Sequence, residues 1–282
     1  MALDQPASQV EIRPLGAVLG AEVIGADLSV PMPRALLDRL RHALDEHKVL
    51  VFRDQRLSKQ DMVSVSRQWG SLGEHIMQGA AAEDCKEVNV LSNIGADGKP
   101  TGKHTDETAK RWHTDRSWMP KPAMATLLYG VKVPRSGGDT LFANTTKAYE
   151  ALPDEVKSRI EHLEAIHSIE YSRRAGRGVP ATADEIRRAP PVNHPLARVH
   201  PATGKKAIYV GCHAWKVDGM GEEEGRALLD YLNGFAVQDR FVYCHKWRPN
   251  DLVMWDNRCT YHAATDFDTH NEARLLYRTI VE

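Results

Sequence analysis

Two strings far apart in the chain carry residue types that bind metal: His113 and Asp115 in RWHTDRSW, and His262 in MWDNRCTYH. Two imidazoles and one carboxylate are the ligand set of a mononuclear non-haem iron(II) centre. Such a set covers one face of the ion and leaves the opposite positions to a co-substrate and dioxygen. A His-x-Asp triplet is weak evidence by itself, and the chain holds a second copy, His104-Thr105-Asp106. Context separates the two. His104 lies in a polar loop after Lys103, whereas His113 follows Trp112 and precedes a strand-like stretch. Residues i and i+2 of an extended strand face one side, so His113 and Asp115 can meet one metal. The bland reading of an isolated motif is a hydrogen-bonded histidine and a local ion pair.

Other residues raise the weight of the sharper reading. Thr140 opens a strand after the turn Arg135-Ser136-Gly137-Gly138-Asp139, and Arg274 lies in the apolar stretch Ala273 to Val281. A guanidinium fork beside a hydroxyl suits a carboxylate. On a strand Arg278 faces the same side as Arg274, about 13 Å away, where it can meet an anionic substrate. The alternative is an arginine at the core edge. His75, Trp112 and Trp118 are candidates to line a substrate pocket, although tryptophans beside a buried site are commonly packing residues. His200 and His213 are weaker candidates.

These residues need a scaffold. Glu11 to Leu28 reads as strands; Pro33 to His47 places Leu36, Leu37, Leu40 and Leu44 at helical spacing. The apolar run Val49 to Phe52 reads as a buried strand, and Ser58 with Asp61 opens a second helix. Residues 75–111 are irregular and polar, a candidate active-site lid. A strand follows at Ala125 to Val133, and Pro153 opens a helix. Residues 172–191 read as a basic, flexible loop. Strands are expected at Pro195 to His200, Lys206 to Gly211, and near Phe241, Val253 and Leu276, with one helix from Glu222 to Phe235. Without a repeat or a linker-like break, residues 1–282 read as one domain.

Composition narrows the function classes. With 37 basic and 38 acidic residues interspersed, no nucleic-acid groove or anionic membrane partner is expected. Four scattered cysteines without a CxxC pair argue against a zinc knuckle or disulfide framework and fit a reducing cytoplasm. The start MALDQPAS does not read as a signal peptide, and no apolar run is long enough to span a bilayer. A small-molecule substrate is the expected partner.

The blocks KVLVFRDQRLS, RWHTD, SGGDTLFANTTKAYEALP, RVHPATGKKAIYVG, FVYCHKWRPNDLVMWDNRCTYH and ARLLYRT occur in this order. Through them, from about Val10 to the C-terminus, the chain resembles the taurine dioxygenase and dichlorophenoxyacetate dioxygenase family of iron(II)- and 2-oxoglutarate-dependent enzymes. GCHAWKVDGM, EEEGRALL and DLVMWDNR resemble its herbicide-degrading branch, while the loop before RWHTD departs from it. The resemblance implies a mainly β fold with flanking helices around a double-stranded β-helix, a cupin-like jelly roll. It implies His113, Asp115 and His262 as iron ligands, with Thr140 and Arg274 holding the far carboxylate of 2-oxoglutarate. It further implies hydroxylation of a small anionic compound by dioxygen with release of succinate and carbon dioxide, and a homo-oligomer. Where the attacked carbon bears oxygen, sulfur or nitrogen, hydroxylation would lead to bond cleavage. Halogenases that share this pattern lack the carboxylate, so Asp115 favours hydroxylation. The rival readings are a secondary-metabolite hydroxylase of the same family, a zinc hydrolase and a non-catalytic binding module. Dependence on oxygen and 2-oxoglutarate separates the last two from a dioxygenase.

Overall fold

The computed structural model describes residues 9–73, 81–104, 107–176 and 179–282. Its strands are β1 (Glu11–Pro14), β2 (Ala21–Ile24), β3 (Val49–Phe52), β4 (Ala81–Ala82), β5 (Cys85–Ser92), β6 (Ala125–Lys132), β7 (Thr140–Asn144) and β8 (Glu164–His167). They continue with β9 (Val192–Pro195), β10 (Ala197–Val199), β11 (Lys206–Ile208), β12 (Ala214–Val217), β13 (Val242–His245), β14 (Leu252–Asp256), β15 (Thr260–Ala264) and β16 (Leu275–Val281). The helices are α1 (Arg34–His47), α2 (Lys59–Arg67), α3 (Thr145–Glu150), α4 (Asp154–Ile160), α5 (Ile169–Ala175), α6 (Ala183–Arg188) and α7 (Glu222–Ala236).

Eight strands form one sheet in the order β1-β2-β3-β14-β6-β16-β5-β4, with β2 and β3 its parallel pair. A smaller sheet, β13-β7-β15, lies against it as the second wall of a jelly roll. The apolar runs are explained by this layering. In β14, Leu252 and Met254 join the core under α1 and α2, while Val253 and Trp255 point into the space between the sheets. In β3, Leu50 and Phe52 divide in the same way from Val49 and Val51. A strand covered on both faces has no polar side to show, so its sequence is apolar throughout. A third core lies where Ala143 and Tyr261 of the small sheet meet Leu228, Leu229 and Leu232 of α7.

Alternation then fixes what faces the intersheet space. Leu276 of β16 points into it, so Arg278, two residues on, does the same. Phe142 of β7 points into it, and His262 is its register partner in β15. Thr126 lies between Ala125 and Leu127, which belong to the opposite core, and so faces the interior as well.

Two sequence expectations change. The candidate lid, residues 75–111, contains β5, an eight-residue strand paired with β16 in the main sheet. Residues 172–191, read as a flexible loop, carry the end of α5 and all of α6. A capping box between Thr182 and Glu185 starts α6, and Glu185 is also paired with Arg173 at 2.9 Å. His262 is central in β15.

Candidate metal centre

His113 and Asp115 do not lie on a continuous strand. A single antiparallel bridge joins His113 to His262, through His113 N–H to His262 O at 3.1 Å and His262 N–H to His113 O at 2.8 Å. The chain then turns sharply, with Arg116 at φ 58°, a left-handed conformation uncommon for a residue with a side chain. The bridge puts the imidazoles side by side, ring centroids 4.1 Å apart. Gly211 makes the close approach possible: a Cβ there would sit 3.3 Å from the His113 Cα, and its φ of 67° favours glycine.

His113, Asp115 and His262 each offer a ligand atom, all within 4.8 Å of one another. Their exposures are 9, 6 and 7%, so the group is largely shielded from water. His113 Nδ1 is 2.7 Å from the Arg111 carbonyl. A carbonyl can only accept, so Nδ1 carries the hydrogen and Nε2 keeps a lone pair. His262 Nε2 lies 3.7 Å from Asp115 Oδ2, while the buried Nδ1 has no hydrogen-bond partner. Burial, reinforced by His113, holds the His262 pKa well below the ordinary histidine value, so this imidazole is neutral at pH 7.

Burial alone would raise the Asp115 carboxyl. His262, the Arg278 guanidinium, His113 and the Thr126 hydroxyl reverse that effect and hold it below the usual carboxylate range. With His262 neutral, Arg278 supplies the positive charge, its Nη1 3.6 Å from Asp115 Oδ1. Thr126 Oγ1 donates to Asp115 Oδ2 at 2.6 Å. Two imidazoles and an ionised carboxylate suit a divalent first-row cation.

His200, Asp256 and Cys259 form the other such cluster among the described residues. His200 Nδ1 accepts the backbone N–H groups of Ala202 and Thr203, so Nε2 must carry the hydrogen that it gives Asp256 at 2.9 Å. Arg258 occupies both Asp256 oxygens, at 2.8 and 2.6 Å. The lone pairs a metal needs are already used.

Thr140 begins β7, which pairs with β15, and Arg274 immediately precedes β16. Thr140 shares the interior face of β7 with Phe142. Its hydroxyl accepts from Trp247 Nε1 at 3.0 Å, which leaves its own hydrogen free to be donated. Arg274, 3% exposed, has an Nε without a hydrogen-bond partner. Burial pushes its pKa down to about 10, opposed by the nearby Asp139. A Cβ on Gly138 would lie 3.4 Å from Arg274 Nε, so the Gly137-Gly138 turn runs directly beside the guanidinium. Asn93 Oδ1 accepts the Arg274 N–H at 2.7 Å and anchors the approach to β16.

The remaining sequence candidates make other contacts or lie outside the described residues. Trp118 is buried with Ile169 and Ala189, and Trp112 packs on the α7 core, both in packing contacts. His213 is 6.0 Å from the His113 ring, edge to face. His104 is buried beside Phe267. His75 and Asp106 lie outside the described residues. Sequence reasoning missed Thr126, Asn257, Trp247 and Asn93. Asn257 and Trp247 stand inside the FVYCHKWRPNDLVMWDNRCTYH block, which was their available signal.

The profile of the "Taurine catabolism dioxygenase TauD, TfdA family" matches residues 11–280. The alpha-ketoglutarate-dependent 2,4-dichlorophenoxyacetate dioxygenase of Cupriavidus pinatubonensis is 35% identical over 281 residues, covering 97% of this chain and 98% of that one. The (S)-phenoxypropionate/alpha-ketoglutarate-dioxygenase of Sphingobium herbicidovorans is 34% identical, covering 95% and 93%. The crystal structure of AAD-2 in complex with Mn(II) and N-oxalylglycine is similar at TM-score 0.86 and 36% identity, covering 97% and 96%. The cupin-like jelly roll expected from the sequence is therefore the fold. The chain belongs to the TauD, TfdA family and is a 2-oxoglutarate-dependent non-haem iron(II) dioxygenase that uses molecular oxygen.

Proposed function

We propose that His113, Asp115 and His262 hold Fe(II), that Thr140 and Arg274 grip the distal carboxylate of 2-oxoglutarate, and that the enzyme hydroxylates a small anionic organic compound. The observation that carries this reading is the buried convergence of two imidazoles and one carboxylate from strings far apart in sequence. The orphaned Nε atoms of Arg274 and Arg278 support it, because a buried guanidinium without a full set of acceptors is costly unless an anion completes it.

Fe(II) with 2-oxoglutarate and dioxygen supplies the oxidising power, and succinate and carbon dioxide leave as co-products. The chain's own residues do the positioning. Arg111 O fixes the His113 tautomer, and Thr126 with Arg278 keeps Asp115 ionised. Arg274 neutralises a carboxylate where water screening is weak, while the Trp247 indole orients the Thr140 hydroxyl toward the same task. Trp255, Phe142 and Leu276 form a dry wall behind His262.

Arg278 is the proposed partner of the substrate's anionic group. Its Nη1 faces a ligand carboxylate and its Nε is unpaired, so an anion held there would lie beside the reacting centre. Aryloxyalkanoates are the leading substrate class, given the relatives named for dichlorophenoxyacetate and phenoxypropionate, with sulfonates and phosphonates as the other anions a guanidinium fork pairs with. For an aryloxyalkanoate, hydroxylation at the ether carbon produces a hemiacetal-type adduct that breaks the C–O bond. The test is substrate-dependent succinate release across aryloxy acids, sulfonates and phosphonates. Arg278→Ala should raise the KM of the responding anion roughly 10- to 100-fold, the worth of one charge-assisted hydrogen bond. An uncharged substrate preferred over every anion would refute the anionic assignment.

The reading also includes a cytoplasmic homo-oligomer that binds neither nucleic acid nor membrane. All four cysteines are free thiols, and no helix among the described residues is long and apolar enough to cross a membrane. Size-exclusion chromatography with light scattering tests the association; a monomer at micromolar concentration would contradict it.

A further inference from the structure

We infer that Asn257 and Thr126 are positioning residues for Asp115, joined in a hydrogen-bond relay of fixed direction that ends on the carboxylate. The inference rests on Asp115 being a metal ligand and concerns what holds it in place.

The direction follows from donor chemistry. Asn257 Oδ1 receives the Asp115 backbone N–H at 3.1 Å and the Trp255 indole N–H at 3.0 Å, while the Thr114 hydroxyl donates to the Asn257 backbone carbonyl at 2.6 Å. A backbone amide and an indole can only donate, so this side-chain atom must be the oxygen. The amide nitrogen therefore faces Thr126, 2.9 Å from its Oγ1. That nitrogen can only donate, so the Thr126 hydroxyl accepts there and directs its own hydrogen to Asp115 Oδ2. No step can be reversed without leaving a buried donor facing a donor.

One side chain thus holds the ligand residue twice: Asn257 binds the Asp115 backbone directly and its carboxylate through Thr126. Asn257, Thr126 and Thr114 are all fully buried, so water cannot replace a lost bond. The relay is also mounted rigidly. Thr126 sits in β6 opposite Trp255 of β14, and Asn257 directly follows β14, so one post stands on a strand of the main sheet and the other at the end of its neighbour. Such support is needed because Asp115 lies in a turn after the isolated His113–His262 bridge.

The test is Mn(II) binding to the metal-free full chain, followed by electron paramagnetic resonance, with thermal melts as the folding control. Thr126→Ser keeps the hydroxyl and should bind within about twofold of wild type, whereas Thr126→Val should bind roughly 10- to 100-fold more weakly and give an altered Mn(II) spectrum. Asn257→Ala should also weaken binding, and adding it to Thr126→Val should cost less than the product of the two single effects, because both break one relay. If Asn257→Ala does not fold, the Thr126 pair decides. Unchanged binding by Thr126→Val, an equal loss in Thr126→Ser, or fully multiplicative effects would overturn the inference while leaving the metal centre intact. Failure of the wild type to bind Mn(II) would overturn the metal centre itself and the inference with it.

Discussion

At Asp115 several stretches of chain meet one carboxylate: Thr126 from β6, Arg278 from β16, and His262 from β15. Replacing the carboxylate should abolish hydroxylation. Asp115→Gly is expected to give no substrate-dependent succinate, and retained turnover would mean that another carboxylate holds the iron. A second buried carboxylate is structural and follows a different rule. Asp256, held by Arg258 and His200 against burial, has its pKa lowered to about 2 from 3.8. A depressed carboxyl stabilises the fold fully above its unfolded value, so this contribution is present above pH 3.8 and is lost as pH falls toward about 2. Asp256→Asn should cost about 3–5 kcal/mol at pH 7, since it leaves Arg258 without its counter-charge and the His200 N–H without its carboxylate acceptor. Denaturant titration at pH 7 and below pH 3 checks this: the variant's deficit should shrink on acidification, and a deficit independent of pH would contradict the assignment.

Among the elements, legibility depended on pattern. Strands β3, β6 and β14 and helices α1 and α7 were visible because covered strands are apolar throughout and amphipathic helices repeat their apolar face. Strand β5 was hidden by its glycine-rich and polar flanks, though Val88 and Val90 alternate within CKEVNVLS. Helix α6 was hidden by its length of six residues, although the Thr182 to Glu185 capping box was there to be read. The candidate metal ligands were legible as motifs, but Thr126 and Asn257 were not. Their partners lie 11 and 142 residues away, and a lone threonine or asparagine announces nothing by spacing. Strand geometry also makes a prediction. Gly211→Ala must tolerate a left-handed backbone and a Cβ 3.3 Å from His113 Cα, so it should cost about 1–2 kcal/mol and shift the His113 bridge. Weaker metal binding with a modestly lower Tm is expected; wild-type metal affinity would show that the close approach is not needed.

On the scale of the whole molecule, the proposed site draws on both sheets. The small sheet contributes His262 and Thr140, the large sheet Arg278 and Thr126, and the connections Asp115 and Arg274. Ligand binding should therefore tie the two sheets together. Iron and 2-oxoglutarate at 100 times their dissociation constants should each stabilise the fold by about 2.7 kcal/mol, visible as a rise in Tm that Arg274→Ala loses for the keto acid alone. The central claim is that one cleft holds metal and keto acid at once, and anaerobic titration with Fe(II) and 2-oxoglutarate tests it most directly. A visible metal-to-keto-acid charge-transfer band should grow to one equivalent, vanish in Asp115→Ala, and need far more 2-oxoglutarate in Arg274→Ala. No band in the wild type, or an unchanged band in Asp115→Ala, would contradict the account.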